Sequence, residues 1–140
     1  METPDSNRPI ESSVENKEGL KLRILVAEDK PTMQRLTSRQ LTNLGHTVVI
    51  VGNGQLLLDE LATKTYDLII TDIKMPVMSG LEALEEIRKL YGNVPVIVYT
   101  SDTTKETVEK IEKTLGAVHL EKPPSGDMLK NAIKTAMKNK

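Results

Sequence analysis

Residues 22–29 read LRILVAED, an apolar run that ends in two carboxylates. Residues 68–72 read LIITD and have the same form. Runs of this kind predict strands buried on both faces of a parallel sheet, and the carboxyl ends of such strands meet at the edge where ligands bind. We therefore expect Glu28, Asp29 and Asp72 to lie together. At about 4 Å and an effective dielectric constant of about 20, each pair of these charges repels by roughly 4 kcal/mol, so the cluster predicts a site for a divalent cation.

Short apolar segments alternate with helical patterns on both sides of these runs. The predicted strands are residues 22–27, 47–51, 68–72, 94–100 and 117–121. The predicted helices are residues 31–44, 56–63, 80–91, 103–115 and 125–138, with Asn53 and Ser79 as N-caps of the second and third. Five β-α units in strict alternation predict an α/β fold. We expect a doubly wound, flavodoxin-like parallel sheet of five strands in the order 2-1-3-4-5, covered by five helices.

The length and composition indicate one domain with a polar extension. Residues 1–20 are rich in Glu, Ser, Asn and Pro and predict a flexible tail or linker, whereas residues 21–140 form the folded domain. The 19 basic and 20 acidic residues nearly balance, which gives no electrostatic basis for binding nucleic acid or an anionic membrane. The sequence has no cysteine, no bilayer-spanning apolar run and no secretory leader, so we expect a cytoplasmic protein.

Two further strand ends bring polar groups to the edge that carries the acids. The fourth strand ends at Thr100, and Lys122 follows the fifth. Lys122 could serve only as a structural ion pair with the carboxylates. However, a hydroxyl, an ammonium group and a hard cation such as Mg²⁺ together suit a phosphoryl group. Asp72 is then the expected nucleophile, because carboxylates can form aspartyl phosphates.

With these residues in place, the chain resembles the receiver domain of two-component response regulators over about residues 21–140. The resemblance depends on elements that occur in order at the expected strand ends: Glu28-Asp29, Asp72, Met75-Pro76, Gly80, Thr100 and Lys122-Pro123. A single-domain regulator and the receiver of a hybrid sensor histidine kinase are both compatible with it.

The resemblance implies specific roles for the site residues. Asp72 would accept a phosphoryl group from the phosphohistidine of a sensor histidine kinase or a histidine phosphotransfer domain. Asp29, Asp72 and the backbone carbonyl of Lys74 would bind Mg²⁺ directly, and Glu28 would act through a bound water. The chain would thus be a phosphoacceptor with self-phosphorylation and weak autodephosphorylation, and not a turnover enzyme. The Lys122–Pro123 peptide bond is expected to be cis.

The resemblance also implies a conformational switch. Thr100 and the residue three before Lys122, which is His119 here in place of Tyr or Phe, would move together when Asp72 is modified. The surface formed by helix 4, strand 5 and helix 5 would then bind a downstream protein target, and a phosphorylation-linked homodimer is compatible with the same change. His119 either fills the aromatic position as a neutral ring or adjusts the switch by protonation.

Several other residues lie near these positions in the sequence. Lys74 and Asp102 carry opposite charges and predict either a surface ion pair over the site or two unrelated side chains. Strand alternation points Tyr99 to the face opposite Thr100, so we expect Tyr99 to serve in packing rather than in chemistry. His46 is expected at the surface, away from the acids. Pro124 stands where the family commonly has an apolar aromatic or aliphatic residue, and the sequence makes no prediction about its role in partner choice.

Three alternatives compete with a working receiver. An aspartate-nucleophile phosphatase of the haloacid-dehalogenase type would carry a second acid two residues after the nucleophile, where this chain has Lys74. A flavodoxin-like cofactor binder would have a phosphate loop after strand 1, where Glu28 and Asp29 would repel a flavin phosphate. An inactive receiver that serves only as a docking module would lack required side chains, and all of them are present here.

Overall fold

The computed structural model of the chain describes residues 21–138, and every statement about the fold refers to them. The predicted tail, residues 1–20, lies outside the described residues. The strands are β1 Arg23–Ala27, β2 Thr47–Val51, β3 Leu68–Thr71, β4 Val96–Thr100 and β5 Val118–Glu121. The helices are α1 Pro31–Asn43, α2 Gly54–Leu61, α3 Gly80–Tyr91, α4 Lys105–Glu109 with a π-helical continuation Lys110–Thr114, and α5 Gly126–Lys138.

The five strands form one parallel sheet in the order β2-β1-β3-β4-β5, which confirms the predicted topology. In this sheet β1 is paired with both β2 and β3, so Ala27 is in register with Val51 on one side and Thr71 on the other. The residues that directly follow β1 and β3 are therefore neighbours in space. This register creates the edge on which the acidic side chains lie.

Alternate residues of the strands pack into two separate cores. Ile24 and Val26 of β1 face the layer of α1 and α5, together with the fully buried Tyr99. Leu25 and Ala27 face the layer of α2, α3 and the π-helical segment. Because both faces of the sheet are covered, its strands are almost continuously apolar, as expected for parallel sheets.

Side-chain caps determine where α2 and α3 begin. The Asn53 side chain accepts a hydrogen bond from the backbone N–H of Leu56 at 2.8 Å, so the predicted cap of α2 is present. Ser79 and Glu82 form a reciprocal capping box at the start of α3, as expected from Ser79. These caps give α2 and α3 defined N-termini beside the loop that follows Asp72.

The fourth helix differs from the single helix predicted over residues 103–115. It begins at Lys105 because the side chain of Thr104 caps it. After Glu109 the helix widens, and the backbone N–H of Leu115 binds the carbonyl of Lys110, five residues earlier. The wider turn accompanies the burial of both Ile111 and Leu115 in the core.

Candidate functional site

The structure brings the three predicted carboxylates together at the carboxyl ends of β1 and β3. One ligand oxygen from each of Glu28, Asp29 and Asp72 lies within 4.8 Å of the others. The backbone N–H of Asp72 donates to the carbonyl of Ala27 at 3.1 Å, which extends the strand pairing into the site. Glu28 is fully buried, Asp72 is 5% exposed and Asp29 is half-buried. The acids therefore face one another, and of the three only Asp29 has substantial contact with solvent.

Lys122 lies between two of these acids. Its Nζ atom is 2.7 Å from Asp72 Oδ2 and 2.8 Å from Glu28 Oε1. Burial favours the neutral amine, but the hydrogen bonds to Asp72 and Glu28 outweigh burial and raise the pKa of Lys122. Burial likewise opposes ionisation of Glu28, yet the bonds from Lys122 and the Lys30 backbone lower the pKa of Glu28. With one ammonium against three carboxylates, the cluster keeps an excess of negative charge.

Asp29 offers the clearest test of whether the cluster fits a cation. Its Oδ1 atom is buried and has no hydrogen-bond partner among the described residues, and the exposed Lys30 ammonium comes no closer than 3.8 Å to it. A buried carboxylate oxygen without a donor is costly unless an ion binds it. Clustered carboxylate oxygens are the ligands that Mg²⁺ prefers, so these residues fit the predicted ion. Lys74 is exposed in the loop after Asp72, and its role as a carbonyl ligand stays a prediction.

The loop that follows Asp72 is held close to it. The Oδ1 atom of Asp72 accepts from the backbone N–H of Ile73 at 2.7 Å, and the N–H of Gly80 donates to the carbonyl of Ile73 at 2.8 Å. A Cβ atom at Gly80 would clash with the carbonyl oxygen of Asp72, so only glycine allows α3 to begin here. Val77 has φ 69° and is 82% exposed, which is a strained conformation for a β-branched residue.

Thr100 is buried at the end of β4, and its hydroxyl is already engaged. Its Oγ1 atom accepts from the backbone N–H of Asp102 at 3.1 Å. The Asp102 carboxylate accepts from Thr104 and Thr107, and these bonds, led by the Thr104 backbone N–H, lower the pKa of Asp102. Among the described residues no ion pair joins Asp102 to Lys74, although the charge of Lys74 contributes to the lowered pKa of Asp102, so of the two arrangements left open the direct surface pair is not the one observed. Asp102 instead fixes the loop between β4 and α4.

Tyr99 packs in the core as expected, and its hydroxyl makes a contact with the site that was not predicted. It faces the α1 and α5 layer, as strand alternation predicts, but its hydroxyl reaches the site and donates to Glu28 Oε1 at 3.0 Å. The same hydroxyl lies 3.3 Å from Thr37 Oγ1, and the Lys122 ammonium lies 4.9 Å from the centre of the Tyr99 ring. Burial raises the pKa of the Tyr99 hydroxyl far above its usual range. The signal in the sequence was a lone phenol in an aliphatic buried strand, because a buried tyrosine hydroxyl usually finds a partner.

The remaining candidates lie around this centre. His119 is half-buried on β5 and its Nε2 atom is buried without a hydrogen-bond partner among residues 21–138; its switch role stays a prediction. The Lys122–Pro123 peptide bond is cis, as the resemblance implied. Pro124 is buried, and its carbonyl accepts from Gln40 Nε2 of α1 at 2.9 Å.

His46 lies away from the acids, as predicted, but it is half-buried where a surface position was expected. Its Nδ1 atom accepts from the backbone N–H of Leu22 at 3.0 Å, and burial lowers the pKa of its ring. No helix within residues 21–138 combines the length and apolar character needed to span a membrane.

Comparisons with known proteins identify the family of this chain. The family model for the response regulator receiver domain matches residues 24–134. The sensory/regulatory protein RpfC of Xanthomonas campestris pv. campestris is 33% identical over 106 residues, which cover 73% of this chain and 15% of RpfC. The sensor protein EvgS of Escherichia coli K12 is 36% identical over 113 residues, which cover 81% of this chain and 9% of EvgS. The chain thus spans only a small part of these curated relatives.

Among solved structures, the response regulator protein TrrA of Thermotoga maritima, in complex with Mg(2+)-BeF, superposes with a TM-score of 0.73. It is 31% identical, and the match covers 81% of this chain and 97% of TrrA. The family match spans most of the described residues and includes every strand end that builds the acidic site. From this match and the parallel five-stranded fold, we conclude that the chain belongs to the response regulator receiver domain family of two-component signal transduction.

Proposed function

We propose that this receiver domain accepts a phosphoryl group on Asp72 from a phosphohistidine of a sensor histidine kinase or histidine phosphotransfer domain. The observation that carries the proposal is the position of Lys122, which lies 2.7 Å from Asp72 Oδ2 inside a cluster in which the buried Asp29 Oδ1 atom accepts no hydrogen bond from the described residues. Such a site combines an anionic nucleophile, a nearby ammonium group and ligands for a cation. These are the groups that phosphoryl transfer requires.

In the proposed reaction a carboxylate oxygen of Asp72 attacks phosphorus, and the P–N bond to the donor histidine breaks as the new P–O bond forms. Mg²⁺ bound by Asp29, Asp72 and the Lys74 carbonyl, with Glu28 acting through water, would neutralise charge on the phosphoryl oxygens. Lys122 leaves its bridge between Asp72 and Glu28 and pairs with a phosphoryl oxygen. The product is an acyl phosphate on the protein itself, so the chain acts as a phosphoacceptor and not as a turnover enzyme.

The same chemistry supplies a switch. The Thr100 hydroxyl oxygen accepts from the Asp102 backbone N–H in the structure described, and a phosphoryl group with close to two negative charges offers a strong acceptor for the hydrogen of that hydroxyl. The modified domain therefore favours the arrangement in which Thr100 binds the phosphoryl oxygen, and His119 follows it. This shift in population changes the surface of α4, β5 and α5 for a downstream protein target.

The test is to incubate the protein with a small phosphoryl donor and Mg²⁺ and to measure its intact mass. We expect the wild-type protein to gain one phosphoryl group when Mg²⁺ is present. We expect no gain when EDTA removes the Mg²⁺, and none in Asp72→Asn. Asp59→Asn is the matched control, because Asp59 lies exposed on α2, hydrogen-bonded to Gln55, and should leave labelling unchanged. Unlabelled wild-type protein would refute the proposal. Continuous hydrolysis of the donor without a labelled protein would instead favour the phosphatase.

A further inference from the structure

A continuous chain of hydrogen bonds runs from α1 to the proposed phosphoryl acceptor. It links Thr37 to Tyr99 at 3.3 Å, Tyr99 to Glu28 at 3.0 Å, Glu28 to Lys122 at 2.8 Å and Lys122 to Asp72 at 2.7 Å. Because the Tyr99 hydroxyl has one hydrogen and the ionised Glu28 has none, Tyr99 donates to Glu28 and Thr37 donates to Tyr99. The direction of each bond is therefore fixed by chemistry.

Tyr99 contacts both charged groups that Asp72 depends on. Its hydroxyl binds the Oε1 atom of Glu28, and its ring lies 4.9 Å below the ammonium of Lys122, within the range of a cation–π contact. Lys122 binds the same Oε1 atom of Glu28. Glu28 Oε1 thus has two donors, the Tyr99 hydroxyl and the Lys122 ammonium. The ammonium also contacts the ring of Tyr99. A side chain without a hydroxyl would keep the ring contact and lose the bond to Glu28.

Glu28 depends on these donors because it is fully buried. Its Oε2 atom accepts from the backbone N–H of Lys30 at 3.0 Å, while its Oε1 atom relies on Lys122 and Tyr99. When Lys122 turns toward a phosphoryl group, Oε1 keeps Tyr99 as its remaining protein donor among the described residues. A buried carboxylate that loses a donor is destabilised strongly. The Tyr99 hydroxyl therefore contributes more in the phosphoryl-bound state than in the resting state.

We propose that Tyr99 is a positioning residue for the phosphoryl-bound state, in which its hydroxyl keeps the buried Glu28 carboxylate hydrogen-bonded while Lys122 moves to the phosphoryl group. This inference rests on the proposed function of Asp72. It assigns a role to a β4 residue whose ring packs in the core beside α1 and α5. Thr37 fixes the Tyr99 hydroxyl by donating to its oxygen. Helix α1 thereby supports the acceptor site through two buried hydroxyls.

The experiment measures the affinity of the protein for beryllium fluoride in saturating Mg²⁺, since beryllium fluoride can occupy the place of a phosphoryl group without being transferred. We expect Tyr99→Phe to raise the Kd about tenfold, the size of effect for one charge-assisted hydrogen bond. The melting temperature should fall less for the ligand-free Tyr99→Phe protein than for the same variant bound to beryllium fluoride, each compared with wild type in the same state. The reason is that Lys122 still binds Glu28 in the ligand-free protein. Tyr66→Phe is the matched control: Tyr66 also donates its hydroxyl to a glutamate, Glu60, and Glu60 lies outside the acidic site.

Equal Kd values for Tyr99→Phe and wild type would overturn the inference and leave the proposed function intact. If wild-type protein fails to bind beryllium fluoride, both the proposed function and this inference fail. A second measurement does not require Tyr99→Phe to fold. The chain has three tyrosines and no tryptophan, so in Tyr66→Phe/Tyr91→Phe the tyrosine band of the near-ultraviolet absorption reports Tyr99 alone. Binding should shift that absorption as Lys122 leaves the ring, and an unchanged spectrum on binding would contradict the proposal.

Discussion

Replacement of Lys122 by methionine tests the electrostatics of the acidic site most directly. Methionine fills similar space but removes the ammonium that lies 2.7 Å from Asp72 and 2.8 Å from Glu28. The fully buried Glu28 would keep only the Tyr99 hydroxyl and the Lys30 backbone N–H among its described donors. Removing one partner of a buried ion pair costs about 3–5 kcal/mol. Because two donors stay in place, we expect the free energy of unfolding without metal to fall by about 3 kcal/mol, the lower end of that range.

The assay is urea unfolding followed by far-ultraviolet circular dichroism, in EDTA and in excess Mg²⁺. Mg²⁺ should restore part of the stability of Lys122→Met, because the cation replaces the missing positive charge among the acids. The matched control is Lys110→Met, which removes an ion pair of 3.1 Å with Glu85 whose side chains are each 45% exposed. An exposed pair contributes under about 1 kcal/mol, without a Mg²⁺ effect. A loss below about 1 kcal/mol for Lys122→Met, or a stability indifferent to Mg²⁺, would refute this reasoning.

Three further predictions concern the scaffold. Gly80→Ala should displace the start of α3 and abolish Mg²⁺ uptake measured by calorimetry, because its Cβ meets the Asp72 carbonyl, whereas Gly126→Ala, with open space around it, should bind normally. Burial lowers the pKa of His46 below its ordinary value of about 6.5. As the pH falls, the unfolded chain therefore binds the proton at a higher pH than the folded chain does. The stability present above about pH 6.5 should fall as the pH drops below that value. Urea unfolding at several pH values should show this loss in wild type but not in His46→Gln. Arg88 binds four backbone carbonyls beyond α3 and the π-helical turn, so Arg88→Lys should lower the free energy of unfolding by about 2 kcal/mol in the same assay; an unchanged midpoint would contradict it.

Sequence patterns predicted the sheet and the acidic edge because both follow from strand order. Once apolar runs alternate with helices, Asp29 and Asp72 must follow neighbouring strands, and no side-chain detail is needed. The same logic was insufficient for Tyr99. Strand alternation gives the face on which a side chain lies, but not how far a phenol reaches past the end of its strand. Its contact with Glu28 depends on the lengths of both side chains and on their rotamers.

The fourth helix and Asp102 show a second limit of sequence patterns. A spacing of three and four residues predicts an apolar helical face, yet it does not reveal the bond from Leu115 to Lys110 that widens the last turn. Asp102 had two kinds of partner within reach, an ammonium group and nearby hydroxyls. Thr104 and Thr107 lie only two and five residues after Asp102, so their hydroxyls are ordered with little entropic cost, whereas the exposed Lys74 would lose its mobility in an ion pair.

The hydrogen bond from Gln40 to the Pro124 carbonyl has a consequence for engineering. It joins residues 84 positions apart, so it connects α1 directly to the loop after Lys122 despite their distance in the chain. A chimera that imports α1 from another receiver without this loop would leave the Pro124 carbonyl without its Gln40 donor. An exchange of α1 alone, with boundaries at the ends of that helix, would lose this hydrogen bond. An exchange of α1 together with the loop after Lys122 would preserve it.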